Sequence, residues 1–240
     1  MNLEGARILV AGGSHRVGRA VALDLARGGA DVGVSYHRSE APGRETAEMI
    51  EALGRRSAIV QADVGIPNQA KAMVDTIADA LGGLDVYVHA PSGGFRPMRA
   101  ELVDEALWDD ALDSTAKGFM FAAQAAYARM QEDGGVIIAI TDVAGLQPWP
   151  RFAAHAAAKA AQIHLMKCLA ADWGPQGVRV CGVAPGPVLM PEGIKGNPDE
   201  TALRRLGDPA DVAFAIRYCI QADYFTGQNV IVDGGRLLRP

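Results

Sequence analysis

Seven short apolar runs recur along this chain, each followed by a longer segment with helical spacing, and that alternation constrains the fold more than any other feature. The runs are Arg7–Ala11, Asp31–Tyr36, Ser57–Gln61, residues 84–90, residues 135–141, residues 178–184 and Asn229–Val232. Most are apolar throughout rather than alternating, as strands buried on both faces are. The spacing predicts helices over residues 17–27, 44–53, 69–81, 104–130 (with a break near residues 113–115), 151–173 and 209–221. In the first of these Val17, Ala20, Val21 and Leu25 share a face. The expected architecture is α/β. It is a single doubly wound Rossmann-type domain over residues 1–240, with a seven-stranded parallel sheet and helices on both faces. Such a sheet binds ligands beyond the carboxyl ends of its strands, so the residues after each run are where chemistry is expected.

Composition removes several classes of function. The net charge is −5 with no basic block, and aromatic residues are 6% of the chain, which argues against nucleic-acid or membrane-surface binding. No apolar stretch is long enough to span a bilayer, and no signal peptide is visible before the first apolar run. Cys168, Cys181 and Cys219 are too few and too scattered for a disulfide framework or a CxxC metal site. The expectation is a cytoplasmic protein without a metal.

The first run leads into Ala11-Gly12-Gly13-Ser14-His15-Arg16-Val17-Gly18. Glycines there let the backbone turn sharply and approach a pyrophosphate, and the helix N-terminus offers free N–H groups to it. A glycine-rich strand–helix turn can also be plain geometry. After the second run comes Tyr36-His37-Arg38-Ser39, with no acid before Glu40. An acid there would hold the ribose hydroxyls of NAD. Basic and hydroxyl groups suit the 2′-phosphate of NADP instead, and Arg38 can fork onto a phosphate.

From Arg7 to Gly235 the chain resembles the short-chain dehydrogenase/reductase family. The turn departs from the family's TGxxxGxG at Ala11 and at Arg16. With Arg16 it is similar to the TGxxxRxG of the pteridine-reductase-like branch, as is the His-Arg-Ser run at 37–39. Asp63-Val64, Pro185-Gly186, Thr226-Gly227-Gln228 and Val232 to Gly235 are further landmarks. The resemblance implies NADP(H), held by Gly12, Ser14, His15, Arg16, Val17 and Gly18, by Tyr36, His37, Arg38 and Ser39, and by Asp63 and Val64. It further implies contacts from Ala90, Pro91 and Ser92, from Lys159, and from Pro185, Gly186 and Val188.

The family signature is Tyr-xxx-Lys on the long helix, a Ser thirteen residues before the Tyr, and an Asn in the fourth helix. Here Lys159 is in place, but His155 occupies the tyrosine position, Asp142 the serine position and Thr115 the asparagine position. Asp at 142 is again similar to the pteridine-reductase-like branch. Residues i and i+4 share a helix face, so His155 and Lys159 point the same way. The enoyl reductases of the family place a Tyr seven residues before the Lys. That position is Phe152, which has no proton to give.

Two readings stay open at this level. In one, His155 replaces Tyr as proton donor, beside Asp142. In the other the donor is lost and the chain is a silent NADP-binding subunit or regulator, with an active paralogue as partner. An ordinary ketone reductase is a further alternative.

After the fourth run Val88-His89-Ala90-Pro91 replaces the family's Asn-Asn-Ala-Gly, and His89 cannot copy the paired amides. Phe95, Trp149 and Met190 are the expected substrate contacts, with a short lid over about residues 188–207. Phe95 facing a nicotinamide would make a slot for a flat heterocycle, such as a pterin, a cyclic imine or a ketone. The small-residue face at Ala153, Ala157, Ala160 and Ala161, together with the resemblance, implies a homo-oligomer, a tetramer in most of the family.

Overall fold

The computed structural model describes residues 1–188 and 196–239. The seven strands are β1 (Arg7–Ala11), β2 (Asp31–Tyr36), β3 (Ser57–Gln61), β4 (Val86–His89), β5 (Gly135–Ile140), β6 (Val178–Pro185) and β7 (Asn229–Val232). They form one parallel sheet in the order β3-β2-β1-β4-β5-β6-β7. The order reverses between β1 and β4, which opens a crevice at their carboxyl ends.

The central strands feed both faces. In β1, Ile8 and Val10 pack with Val32, Val34, Val86, Val88, Ile138 and Val183 beneath α1 (Arg16–Arg27) and α7 (Pro209–Gln221). Leu9 and Ala11 join Tyr87, Ile137 and Val180 on the opposite face, beneath α3 (Pro67–Leu81) and α5 (Gly118–Met130). Each fully buried Val, Leu or Ile contributes about 1.5–3 kcal/mol. Both core faces are therefore written in the strands' apolar runs.

Several boundaries differ from the sequence expectation. The second helix, α2 (Glu40–Ala52), begins four residues earlier than 44, because Pro42 is tolerated in a first turn where N–H groups need no partner. The long helix α6 (Ala153–Trp173) starts two residues later than 151, where Arg151 adopts φ 70. The expected break near residues 113–115 is instead a π-helical turn, Asp113–Lys117, that joins α4 (Glu105–Leu112) to α5 without interruption. In α1 the buried stripe runs through Gly18, Val21, Ala22 and Leu25, and Val17 and Ala20 lie at its edge. On α6, Ala154 and Ala158 pack against Leu107 and Ala111 of α4. No helix among the described residues is long and apolar enough to cross a membrane.

Candidate active site

A cleft of about 650 Å³ opens at the carboxyl ends of the strands, over the switch point. One end is built by the turn after β1. Gly12 adopts φ 71, and a Cβ on Gly18 would lie 2.2 Å from the Gly12 carbonyl oxygen, so the turn closes only on glycine. Arg16 sits at φ 53, a left-handed conformation that costs a non-glycine residue roughly 1–2 kcal/mol. Ser14 and His15 are linked through Oγ and Nδ1 at 2.8 Å. Burial, then the charges of Arg16 and Arg19, push the His15 imidazole below its ordinary value.

The β2 exit supplies His37, Arg38 and Ser39 to the same end. His37 Nε2 lies 3.6 Å from Asp63 Oδ2, while Arg38 has no ion pair among the described residues. The tight glycine cradle and an uncommitted guanidinium fit a dinucleotide carrying an extra phosphate.

The other end is built from α6 and the turn after β5. Asp142 caps the short turn Val143–Gly145, its Oδ1 accepting from the Ala144 N–H at 2.8 Å. Its Oδ2 lies 3.3 Å from His155 Nε2. The His155 ring is buried, with Nδ1 3.4 Å from the Gly93 carbonyl oxygen. One turn along α6, Lys159 is buried and donates to the Ile140 carbonyl at 2.7 Å and to Gln162 Oε1 at 3.3 Å. Burial pushes the Lys159 ammonium down to about 8, against the opposing pull of the Asp142 carboxylate. Phe95, Phe152, Trp149 and His155 form an aromatic wall. The Phe95 ring centroid lies 4.8 Å from Phe152, 5.9 Å from Trp149 and 4.9 Å, edge-on, from His155.

With this geometry in place, comparison with known proteins is informative. A family model described as enoyl-(acyl carrier protein) reductase matches residues 12–236. The 3β-hydroxysteroid dehydrogenase 1 of Eggerthella lenta is 32% identical, over 100% of this chain and 96% of its own. A 3-oxoacyl-[acyl-carrier-protein] reductase of Staphylococcus aureus is 33% identical, over 95% of this chain and 96% of its own. A short-chain dehydrogenase from Burkholderia cenocepacia, solved in complex with NADP, superposes with a TM-score of 0.93 at 32% identity and covers 99% and 100% of the two chains.

The chain belongs to the short-chain dehydrogenase/reductase family.

Among the residues singled out in this short-chain dehydrogenase/reductase from its sequence, the turn residues 12 and 14–18, Tyr36, His37, Arg38, Ser39, Asp63 and Val64 all line the cleft. So do Ala90, Pro91, Ser92, Phe95, Asp142, Trp149, His155, Lys159, Pro185, Gly186 and Val188. Thr115 does not. It is fully buried in the π-helical turn, away from the cleft, and its Oγ1 has no hydrogen-bond partner among the described residues. Met190 and residues 189–195 of the expected lid lie outside the described residues.

The sequence reasoning passed over Gln162. It is fully buried, takes a hydrogen from Lys159 and donates through Nε2 to the Thr115 carbonyl at 3.4 Å. The signal was there: a glutamine three residues from Lys159 on the apolar stripe of α6. It also passed over Asp110, whose Oδ2 accepts from the Gly94 N–H at 2.7 Å and pins the loop carrying the Gly93 carbonyl.

His89 does not leave β4 unsupported. Tyr87 donates its hydroxyl hydrogen to His89 Nδ1 at 2.7 Å, and His89 Nε2–H donates to the Ser114 carbonyl at 3.1 Å. One imidazole thus ties β4 to the π-helical turn. Burial, aided by the Lys159 charge and opposed by the bond to Ser114, lowers His89 to about 3. The folded protein therefore refuses a proton that the unfolded chain takes near 6.5. Between these values, stability falls with falling pH by up to about 1.4 kcal/mol per unit. Urea unfolding between pH 6.5 and about 5, above the carboxylate range, is expected to show this slope. It should flatten by one proton in His89→Gln.

Proposed function

We propose that the chain is an NADPH-dependent reductase that delivers a hydride to the C=N or C=O carbon of a small, flat substrate, with His155 as proton donor. The supporting observation is that His155 and Asp142 stand 3.3 Å apart in the same cleft as Lys159 and the glycine turn. Bound NADPH would supply the hydride. The turn residues Gly12 to Gly18 hold its pyrophosphate, and Arg38, Ser39 and Arg16 hold the 2′-phosphate. Asp63 and Val64 line the adenine, and Pro185, Gly186 and Val188 flank the nicotinamide.

Lys159, with one N–H left after Ile140 and Gln162, would hold the nicotinamide ribose of bound NADPH, and that hold would weaken once the ammonium loses its proton. Turnover is expected to decline above about pH 8. His155 passes a proton from Nε2 to the substrate nitrogen or oxygen, and Asp142 orients the ring and stabilises its charged form. Phe95 and Trp149 line the cleft, backed by Phe152, and offer a wall against which a flat ring can stack. The small-residue face of α6 leaves Ala153 and Ala160 exposed for a second copy of the chain, and a homo-oligomer is expected.

Single-turnover NADPH oxidation with a dihydropterin, a cyclic imine and a diketone tests the reading. Oxidation that rises towards acid pH supports it. Bound NADPH without oxidation favours the silent-subunit alternative, which the close His155–Asp142 pairing would then explain as a structural contact. Arg38→Ala tests the cofactor choice separately. Loss of a charge-assisted phosphate contact is expected to raise the Kd for NADPH by about 10–100-fold and leave that for NADH nearly unchanged. Equal changes for both cofactors would remove the 2′-phosphate from Arg38.

A further inference from the structure

The buried stripe of α6 runs through Ala154, Ala158, Ile163, Met166 and Leu169, and Gln162 lies fully buried within it. An amide in that place costs free energy unless both of its ends are bonded, a demand that leucine would not make. Both ends are bonded. Oε1 accepts from Lys159 Nζ at 3.3 Å, and Nε2 donates to the Thr115 carbonyl at 3.4 Å. An ammonium only donates and a carbonyl only accepts, so these two partners fix which end of the amide faces which.

Lys159 lines the cleft and Gln162 does not, so any effect of Gln162 on the chemistry runs through Lys159. The ammonium has two acceptors within the protein, the Ile140 carbonyl at 2.7 Å and Gln162 Oε1. Burial works against its charge, and the Asp142 carboxylate works for it. The other titratable groups on the packed elements are committed elsewhere or uncharged. His155 pairs with Asp142, burial keeps His89 of β4 neutral, and Asp110 of α4 is bonded to Gly94. Asp113 and Lys117 of the π-helical turn pair with each other, and Arg179 of β6 donates to the carbonyls of Cys219, Ile220 and Phe225. The Gln162 carbonyl dipole is therefore a direct support for the ammonium, since a bond to the charged form favours that form.

The same amide fixes where the ammonium sits. Its far end is anchored on the π-helical turn, at the carbonyl next to the one that takes the His89 hydrogen. Lys159 is braced from β5 on one side and from that turn on the other.

Resting on the reductase reading, in which Lys159 holds the nicotinamide ribose, we propose that Gln162 is a positioning residue. By linking Lys159 Nζ to the Thr115 carbonyl, it keeps the ammonium charged and fixed in place for the cofactor.

Two variants of the full-length protein test this. Gln162→Met removes the amide and keeps an unbranched side chain of similar length. Gln162→Glu keeps the shape and sets a carboxylate beside the ammonium. The Kd for NADPH is measured by cofactor fluorescence from about pH 6.5 to about 10, a range that brackets the ionisation of a buried lysine. The wild type is expected to lose affinity above about pH 8. A hydrogen bond to a charged group corresponds to about 1–2 pH units, so Gln162→Met should move this loss down by that much. Gln162→Glu should move it up.

A purely structural amide would lower the Tm and leave the alkaline loss of affinity at the same pH in both variants, which overturns the role. If Gln162→Met does not fold, Gln162→Glu decides alone, and a loss that stays or moves down overturns it. A wild-type Kd that does not weaken at alkaline pH also overturns it, because the charge of Lys159 then does not hold the cofactor. Bound NADPH that a dihydropterin, a cyclic imine and a diketone all fail to oxidise overturns the reductase reading instead, while the hold of Gln162 on Lys159 is still read from the two Kd profiles.

Discussion

His155→Phe is expected to lower turnover of a neutral imine or ketone by about 10²–10⁴-fold, the usual worth of a positioned general acid, with NADPH affinity nearly intact. Phenylalanine keeps a flat ring at the same place, so the edge contact to Phe95 and the burial on α6 are retained in kind. What is lost is the proton-bearing nitrogen beside Asp142 and the partner of the Gly93 carbonyl. Stopped-flow NADPH oxidation, with cofactor fluorescence in parallel, separates chemistry from binding. Unchanged turnover would remove His155 from the reaction. His155→Tyr supplies the complementary result, since a hydroxyl there rebuilds the family's usual donor. If the wild type is silent and His155→Tyr is active on a ketone, the chain is a cofactor-binding subunit whose donor has been lost.

The second large effect is expected at the phosphate turn. Gly18→Ala places a methyl 2.2 Å from the Gly12 carbonyl oxygen and 3.2 Å from Gly13 Cα. Both neighbours are backbone, so no side chain can swing aside and the turn itself must open. Overpacking of this kind costs typically about 1–3 kcal/mol, which lowers the Tm of a chain this size by roughly 2–12 °C. NADPH affinity should fall further than stability, because the N–H groups of the turn are displaced from the pyrophosphate. Gly174→Ala is the control. It has φ −55 with nothing within 4 Å of its added Cβ, and should be neutral or stabilising by about 0.4–1 kcal/mol. Calorimetry on both variants, with NADPH titration, gives the comparison. A Gly18→Ala protein that binds NADPH normally would show that the turn is not the phosphate cradle.

Much of the site was legible because each strand places its next residues at the same edge of the sheet. The residues after β1, β2, β3, β4, β5 and β6 fell into one cleft, including Arg38, Asp142 and Gly186, as a parallel sheet requires. His155 and Lys159 were legible through the family's signature, and i, i+4 spacing placed them on one helix face. Thr115 is the exception: the π-helical turn holds its side chain buried, and its carbonyl connects to Lys159 through Gln162. The support that His89 gives β4 was not legible, because a sequence lists the donors lost from a motif and not the partners gained. Its two bonds come from Tyr87, two residues away, and Ser114, on another element.

The sequence by itself determined the strand–helix alternation, the two apolar faces of the sheet and the basic end of the cleft. These follow from period, burial and local charge, which are properties of neighbouring residues. The tertiary structure alone decided which donors and acceptors meet across long stretches of chain. Gly93 meets His155 across sixty-two residues, and Gln162 reaches the carbonyl of Thr115 across forty-seven. Whether a buried imidazole has a donor or an acceptor at each nitrogen depends on contacts between elements distant in the chain, and packing sets those contacts once the sheet has brought the elements together.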